Sequence, residues 1–204
     1  FSFDEVKETI EKELGKKLNE LFRSFEKEPI ASASISQVHR AVLKTGEKVA
    51  VKVQRPDVRK TMETDIEIMF YFAKLLEKYS EKLRDYRPVK IVSEFKQWTE
   101  KELDFRMEAR NAKRFYENFR GSKTIYIPKV YDGWTSEKVL TLEFIDGIDA
   151  HNVKEIRKNK IDFSMVMRNG FNATLKQVFV DGIFHADPHP GNMIVMKNGY
   201  LALI

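Results

Sequence analysis

An aspartate and an asparagine, Asp187 and Asn192, are separated by four residues near the end of the chain. Pro188, Pro190 and Gly191 lie between them and predict an irregular loop. An aspartate in such a loop can accept the proton of an attacking hydroxyl, and an asparagine oxygen can bind Mg²⁺. The spacing therefore makes phosphoryl transfer one candidate role of this loop.

Two alternative roles for this loop stay open from its residues alone. A turn held by side-chain hydrogen bonds of aspartate and asparagine is the commoner role of such a pair. A metal site built from His185, Asp187 and His189 is the second alternative. The prolines between these residues restrict their convergence on one ion, which disfavours the metal site. The position of the loop, after a helix and before a hairpin, favours phosphoryl transfer.

A lysine ends the strand-like tetrapeptide Val49-Ala50-Val51-Lys52. Valines at 49, 51 and 53 alternate with Ala50 and Lys52, and this period of two predicts one buried face. A lysine in this setting resembles the strand lysine that holds the α- and β-phosphates of ATP in protein kinases. A solvent-facing lysine on a half-exposed strand is the commoner occurrence of such a tetrapeptide taken alone.

An acidic helical segment, Glu102 to Ala109, offers a partner for that lysine. Glu108 falls in the apolar stripe of the predicted helix. Because a buried ammonium without a counter-charge is costly, Glu108 is a candidate partner for Lys52. An ordinary surface position is the alternative for any single glutamate on so charged a helix.

The chain has nine glycines but no glycine-rich phosphate loop of the Gly-x-Gly-x-x-Gly or Walker type. The small residues Ala31, Ser32, Ala33 and Ser34 stand instead where the first strands begin. Their backbone N–H groups and the serine hydroxyls can contact phosphate oxygens. A plain linker between a helix and a strand is the alternative.

Strands and helices must position these side chains. Residues 35–43 and 49–53 predict a hairpin around Lys44 to Glu47, and two more strands are predicted at 125–131 and 138–145. An antiparallel sheet with attached helices, followed by a mainly helical part, is an α+β arrangement. We therefore predict the α+β fold class.

The first helix is predicted from a capping box and an apolar repeat. Ser2 and Glu5 form the capping pattern, and the repeat behind them predicts helix as far as Phe25, with Gly15 as a break and Pro29 after its end.

Later helices are predicted from Pro56 and from Pro88 to Arg120. The early inward-facing residues of the second are expected to be Ile91, Phe95 and Trp98. Asp162 is expected to cap a further helix that Gly182 ends. Its buried stripe is expected to include Met165, Phe171, Leu175 and Val178.

Composition bounds the class of protein. The 204 residues, 42% of them hydrophobic, suffice for one domain or a two-lobed unit with a buried core. No run approaches the ~20 apolar residues of a membrane span. The absence of cysteine excludes disulfides, thiol nucleophiles and thiolate metal sites. The net charge of +5 suits an anionic ligand or a membrane surface but is too diffuse to indicate nucleic-acid binding.

The chemical features occur in one order along the chain: small-residue loop, strand lysine, helix glutamate, then the aspartate–asparagine loop. Four segments carry a specific resemblance: Pro29–His39, Val49–Pro56, Glu102–Ala109 and His185–Asn192. Together they resemble the UbiB family of atypical protein-kinase-like proteins, over nearly the whole chain.

The resemblance implies a protein-kinase-like fold, with an N-lobe antiparallel sheet, long extra helices and the start of a mainly helical C-lobe. It implies an N-lobe and hinge over residues 1–146 and the first part of the C-lobe over 147–204. The family's Lys-x-Gly-Gln segment would precede Phe1 and its Asp-Phe-Gly would follow Ile204. We therefore expect a piece of a longer protein that is inactive or impaired alone.

The resemblance also implies roles around a nucleotide. The loop 31–34, alanine-rich in the family, would contact the phosphates, and Lys52 would hold them while paired with Glu108. Leu142 resembles the gatekeeper that precedes the adenine-binding hinge, whose residues would act through backbone groups. The implied nucleotide-binding set is Ala31, Ser32, Ala33, Ser34, Ala50, Lys52, Glu102, Asp104, Glu143 and Ile145. Glu102 and Asp104 match the family's Glu-x-Asp motif and would project toward the active site.

Family members are ATPases or unorthodox kinases that support isoprenoid-quinone or lipid metabolism at membranes. The resemblance thus implies an enzyme of phosphoryl transfer with ATP and Mg²⁺ as cofactors, in which Asp187, Lys52 and Glu108 are catalytic and Asn192 binds the metal. It implies a cytoplasmic protein with peripheral membrane contact and a lipid or isoprenoid partner, without nucleic acid. Two alternatives remain: a nucleotide-binding pseudokinase, and a membrane- or partner-binding module built on the helices at 57–86 and 88–120.

Overall fold

The computed structural model of the chain describes residues 1–185 and 189–204. These residues form two compact units, each with its own sheet and its own apolar core. The predicted α+β class is confirmed. The predicted lobe boundary after residue 146 stays a prediction.

The strands of the described residues are β1 (Phe22–Phe25), β2 (Ala31–Ser32), β3 (Ser36–Leu43), β4 (Lys48–Gln54), β5 (Ile125–Tyr126), β6 (Val139–Glu143), β7 (Gly147–Asp149), β8 (Met193–Met196) and β9 (Leu201–Leu203). The α-helices are α1 (Phe3–Leu14), α2 (Leu18–Leu21), α3 (Val58–Tyr79), α4 (Glu81–Arg84), α5 (Pro88–Glu102), α6 (Phe105–Asn118), α7 (Val153–Lys158) and α8 (Phe163–Lys176).

The first unit, residues 1–109 with 131–141, is built on a five-stranded sheet. The strand order is β1-β3-β4-β6, with β2 also beside β3, and β1, β2 and β4 all run antiparallel to β3. Val49, Val51 and Val53 of β4 are fully buried, as their alternation predicted. Gly46, at a φ of 105°, lies in the predicted turn between β3 and β4.

Helix α1 ends earlier than the apolar repeat suggested. The Ser2 hydroxyl accepts from the Glu5 amide, which confirms the capping box, and Gly15 ends the helix at a φ of 68°. The prediction of helix as far as Phe25 was wrong, because β1 pairs with β3 at Phe22 opposite Leu43. Burial of Phe22 against the sheet core outweighs a helical repeat that local sequence alone favours.

Helices α3 and α5 pack together through Ile66, Ala73 and Val92. The expectation that Ile91, Phe95 and Trp98 face inward was wrong: their exposed fractions are 56%, 39% and 61%. The buried side of α5 is the neighbouring face, which carries Val92 and Thr99. The predicted helix from Pro88 to Arg120 is also interrupted between α5 and α6.

The second unit, residues 110–130 with 142–204, contains a four-stranded sheet in the order β5-β9-β8-β7. Strand β8 is antiparallel to both neighbours, while β5 is parallel to β9. Its core includes Ile156 of α7, Val166 of α8 and Val195 of β8.

Helix α8 has the predicted ends but a different buried face. The Asp162 carboxylate accepts from the Met165 amide, and Gly182 follows a π-helical turn, Gln177–Asp181, at a φ of 65°. The predicted stripe was wrong, because its four members are exposed: Met165, Phe171, Leu175 and Val178. Val166, Ala173 and Gln177 face the core instead.

No helix among the described residues combines the length and apolar character that spanning a membrane requires.

Candidate functional site

Lys52 lies on β4, and its side chain is 27% exposed. Its ammonium nitrogen lies 2.9 Å from Oε1 and 2.7 Å from Oε2 of Glu108 on α6. The same nitrogen lies 4.9 Å from the centroid of the buried Phe105 ring. The ion pair between Lys52 and Glu108 is therefore formed, with the lysine ammonium over an aromatic ring.

A second polar residue of β4, Gln54, fixes the junction between α5 and α6 against the strand. The Gln54 amide nitrogen donates to the Leu103 carbonyl at 2.9 Å, and both residues are buried. The Phe105 amide donates to the Glu137 carbonyl at 2.9 Å. These bonds link the α5–α6 junction to the body of the unit, and Glu108 follows one turn later. Gln54 was not among the predicted site residues, and its signal in the sequence is a polar residue directly after the buried valines.

Asp104 is held by a local ion pair. Its carboxylate accepts from the Arg106 amide at 3.0 Å and from the Arg106 guanidinium at 2.8 and 3.0 Å. These hydrogen bonds and the charge of Asp104 raise the pKa of Arg106. Arg106 also contacts Glu137, which in turn pairs with Arg59. Glu102 is the exposed last residue of α5. The nucleotide role of Glu102 and Asp104 stays a prediction.

The small-residue segment 31–34 forms the start of a β-hairpin at the sheet. Ala31 lies opposite Val38 and Ser32 opposite Gln37. In the turn, the Ala33 amide donates to the Ser36 carbonyl at 2.8 Å, and Arg55 donates to the Ser34 carbonyl at 3.2 Å. All four residues of the segment are exposed. Ala50, on β4 opposite Arg40, is half-buried on the same strand face as Lys52.

The predicted hinge residues lie at the end of β6. The Glu143 amide donates to the Lys129 carbonyl at 2.8 Å, so this backbone donor already has an acceptor. Its carboxylate accepts from the Tyr126 hydroxyl at 2.8 Å and from the Lys129 amide at 3.2 Å. Ile145 is buried, with 6% of its surface exposed. Contact of either residue with adenine stays a prediction.

Asn192 lies at the end of a short 3₁₀ turn, Pro190–Asn192. The backbone N–H of Asn192 donates to the His189 carbonyl at 2.9 Å. The backbone carbonyl of Asn192 accepts from the backbone N–H of Ile204, also at 2.9 Å. His189 Nδ1 accepts from the Gly191 amide at 3.1 Å. The backbone of Asn192 is thus tied both to the turn and to Ile204, the residue directly after β9.

The other predicted member of this loop, Asp187, lies outside the described residues. Over residues 1–185 and 189–204, no cluster of three or more histidine, aspartate or glutamate side chains is arranged to hold a metal ion. The alternative site of His185, Asp187 and His189 includes Asp187 and is therefore untested.

One further pair of side chains lies beside the 3₁₀ turn. The His151 ring centroid is 4.9 Å from that of His189. His151 Nδ1 is 3.1 Å from Asp149 Oδ1, which also accepts from the His151 amide at 2.8 Å. That backbone hydrogen bond is the main cause that lowers the pKa of Asp149. Neither Asp149 nor His151 was predicted from the sequence.

Each unit therefore carries part of the predicted set. Lys52 and Glu108 are brought into contact in the first unit, which also holds the small-residue hairpin. The second unit carries Glu143, Ile145 and Asn192.

A comparison with known protein families identifies the chain. The sequence pattern of the ABC1 atypical kinase-like domain matches residues 1–204, which is the whole chain. The chain belongs to the ABC1 atypical kinase-like family. The residues that resemble the UbiB family are thus those of an ABC1 kinase-like domain.

Curated relatives support this membership. The chain is 43% identical over 186 residues to the "Probable protein kinase UbiB" of Pseudomonas paraeruginosa, covering 91% of this chain and 35% of that protein. It is 40% identical over 191 residues to the protein of the same name from Aliivibrio fischeri, covering 93% and 35%. The chain spans about a third of the length of the curated relatives it matches.

A solved structure has the same fold. The Mycobacterium tuberculosis protein Rv3197, determined in complex with erythromycin, superposes with a TM-score of 0.80 at 29% sequence identity. The match covers 100% of this chain and 51% of Rv3197. The predicted kinase-like fold of an ABC1 domain is confirmed.

Proposed function

We propose that this protein binds ATP and catalyses Mg²⁺-dependent phosphoryl transfer. The observation that carries the proposal is the contact between Lys52 and Glu108, 2.7 Å apart, in a chain of an atypical kinase-like family. A strand lysine paired with a helix glutamate is the arrangement that active protein kinases require. The pair joins residues 56 positions apart in the sequence, and the Lys52 side chain is 27% exposed.

Lys52 would bind the α- and β-phosphates. Its ammonium lies over the Phe105 ring and contacts Glu108, and its strand is fixed by buried valines. Glu108 orients that ammonium without filling all three of its donor directions. A lysine held in this way binds phosphate oxygens with a smaller loss of side-chain entropy than a free surface lysine.

Asp187 and Asn192 would act on the transferring group. Asp187 would accept the proton of the attacking hydroxyl or water. Asn192 offers a carboxamide oxygen, a hard donor that suits Mg²⁺, and its backbone is anchored on both sides. Mg²⁺ would neutralise the developing charge on the phosphate oxygens. The acceptor class that we propose is a lipid or isoprenoid small molecule or a metabolic enzyme that handles one, near a membrane.

The first test is calorimetric titration of the full-length protein with ATP and ADP, with and without Mg²⁺. Lys52→Ala should weaken nucleotide binding by about tenfold or more, because a charge-assisted phosphate contact is lost. Lys48→Ala, an exposed lysine on the same strand, is the matched control. Asp187→Asn should bind ATP but not turn it over. A folded protein that binds no nucleotide would refute the proposal and leave the family resemblance as one of fold.

A second role, contact with an anionic membrane surface, is favoured by the outer side of α3 to α5. Residues 74–90 contain six basic and three acidic side chains. Tyr79 and Tyr86 in this stretch are 74% and 72% exposed, and Trp98 nearby is 61% exposed. Tyrosine and tryptophan favour the polar–apolar boundary of a bilayer, and basic residues add attraction to anionic lipids.

Vesicle sedimentation tests the second role independently of nucleotide. Binding to vesicles with phosphatidylserine should exceed binding to neutral phosphatidylcholine vesicles and should persist in Lys52→Ala. Replacing Lys78, Lys82 and Arg84 with glutamine should weaken it, whereas glutamine at Lys44, Lys123 and Lys197 removes the same charge elsewhere and should not. Equal binding by both triple variants would contradict a specific surface.

A further inference from the structure

One buried polar side chain of the second unit, Gln177, has no role in the function proposed so far. Only 3% of its surface is exposed, at the point where α8 passes into the π-helical turn 177–181. Its Oε1 accepts a hydrogen bond from the backbone amide of His185 at 2.9 Å. Burying a side-chain amide lowers the stability of the fold unless the amide is hydrogen-bonded. The bond to His185 therefore explains why a glutamine can occupy the core face of the helix.

The π-helical turn that positions Gln177 is fixed at both ends. Lys176 donates to the two Asp181 carboxylate oxygens at 2.6 and 2.7 Å and to the Asn118 carbonyl at 2.9 Å. Its ammonium also lies 4.7 Å from the Phe119 ring centroid. Gly182 then ends the turn in the left-handed region. Such turns interrupt the regular hydrogen-bond ladder and recur at functional sites.

The contact reaches the segment that leads into the candidate loop. His185 stands two residues before Asp187 in the sequence. A cavity of about 20 Å³ is lined by Gln177, Thr174, His185 and Asn192 together with apolar neighbours. The Gln177 carboxamide therefore adjoins the same small space as the candidate metal ligand Asn192.

We propose that Gln177 is a positioning residue for the phosphoryl-transfer loop. Its Oε1 fixes the backbone amide of His185, which lines the same cavity as the candidate metal ligand Asn192. This inference rests on the function proposed above for Asp187 and Asn192. It assigns to the end of α8 the task of holding His185 beside Asn192 before substrate arrives, since misplaced catalytic groups lose most of their effect.

The test is steady-state Mg²⁺-ATP hydrolysis by the full-length protein and three variants. Gln177→Met keeps the side-chain size but removes the acceptor, and it should lower kcat by about 10- to 100-fold with KM nearly unchanged. Gln177→Glu restores an acceptor oxygen and should recover much of kcat. Asn172→Met is the matched control, because it makes a similar amide-to-thioether change at an exposed position of α8 and should leave kcat unchanged.

Hydrogen exchange at the His185 amide separates this inference from the proposed function. Gln177→Met should accelerate exchange at His185 while α7 stays protected. If the wild-type protein hydrolyses no ATP, the proposed function fails, and the exchange result alone decides whether Gln177 holds the loop. Unchanged His185 exchange, or wild-type kcat in Gln177→Met, would overturn the inference. If Gln177→Met does not fold, Gln177→Asn is used instead, because its shorter side chain keeps the amide but moves the oxygen away from the His185 amide. His185 exchange and kcat are then measured in the same way.

Discussion

The Lys52 ammonium lies within 2.9 Å of both carboxylate oxygens of Glu108, and this contact joins β4 to the first turn of α6. The two residues are 56 positions apart, so neither helix nor strand formation alone brings them together. The contact depends on where α6 begins, which Gln54 and Leu103 determine through their buried hydrogen bond.

Glu108→Gln should separate positioning from binding. The amide is the same size but loses the charge that orients Lys52, so turnover of Mg²⁺-ATP should fall by about tenfold or more. Affinity for ATP, measured by calorimetry, should fall much less. Glu117→Gln, an exposed carboxylate also on α6, should change neither quantity. Equal loss of turnover in both variants would contradict a specific role for Glu108.

Gln54→Leu should destabilise the protein by about 1–3 kcal/mol, because the buried Leu103 carbonyl loses its donor. Gln37→Leu is a contrasting control on β3, since the buried Gln37 Oε1 accepts no hydrogen bond from the described residues. Its replacement should be neutral or stabilising. Urea unfolding monitored by circular dichroism measures both changes. A Gln54→Leu protein as stable as Gln37→Leu would show that the junction needs no such bond.

His39 on β3 is 1% exposed, and this burial lowers its pKa. The hydrogen bond between its Nδ1 and the Glu26 carbonyl raises the pKa but offsets only part of the effect of burial. The folded-state pKa therefore lies below the unfolded value of about 6.5, and the unfolded chain binds more protons on acidification. The stability from neutral His39 is complete above about pH 6.5 and is lost as the pH falls through the folded-state pKa.

Unfolding midpoints in urea across this pH range check the prediction. His39→Gln, which can still donate to the Glu26 carbonyl, should flatten the decline in stability on acidification. Ser36→Ala replaces a neighbouring buried polar side chain of β3 that carries no ionisable group, and it should leave the slope as in the wild type. An unaltered slope in His39→Gln would mean that other groups cause the acid sensitivity.

Gly147→Ala should destabilise the second unit. A Cβ at this position of β7 would meet Ile194 Cγ2 and lie 2.7 Å from the Val195 carbonyl oxygen of β8. Because both neighbours belong to a paired strand, we expect a loss of about 1–3 kcal/mol in the free energy of unfolding. Gly133→Ala, where no described atom lies within 4 Å of the new Cβ, should be tolerated. Equal midpoints in thermal unfolding would contradict the predicted clash.

Several features could be predicted from the sequence because they depend on neighbours in the chain. The alternation of Val49 to Val53 predicts a strand with one buried face, and the structure confirms it. Ser2 and Asp162 cap their helices as predicted, since a cap bonds an amide only three residues ahead. The resemblance of four segments to the UbiB family implied the kinase-like fold, which is confirmed.

Other features required the folded chain. Residues 22–25 form a strand because they pair with β3. The buried faces of α5 and α8 differ from the predicted ones because packing selects one of several apolar stripes on each helix. The partners of Gln54 and Gln177 could not be predicted locally, since each side chain bonds a backbone group outside its own element. Local spacing predicts helices, strands and caps, whereas pairing between distant segments sets which apolar face is buried and which buried polar group finds its partner.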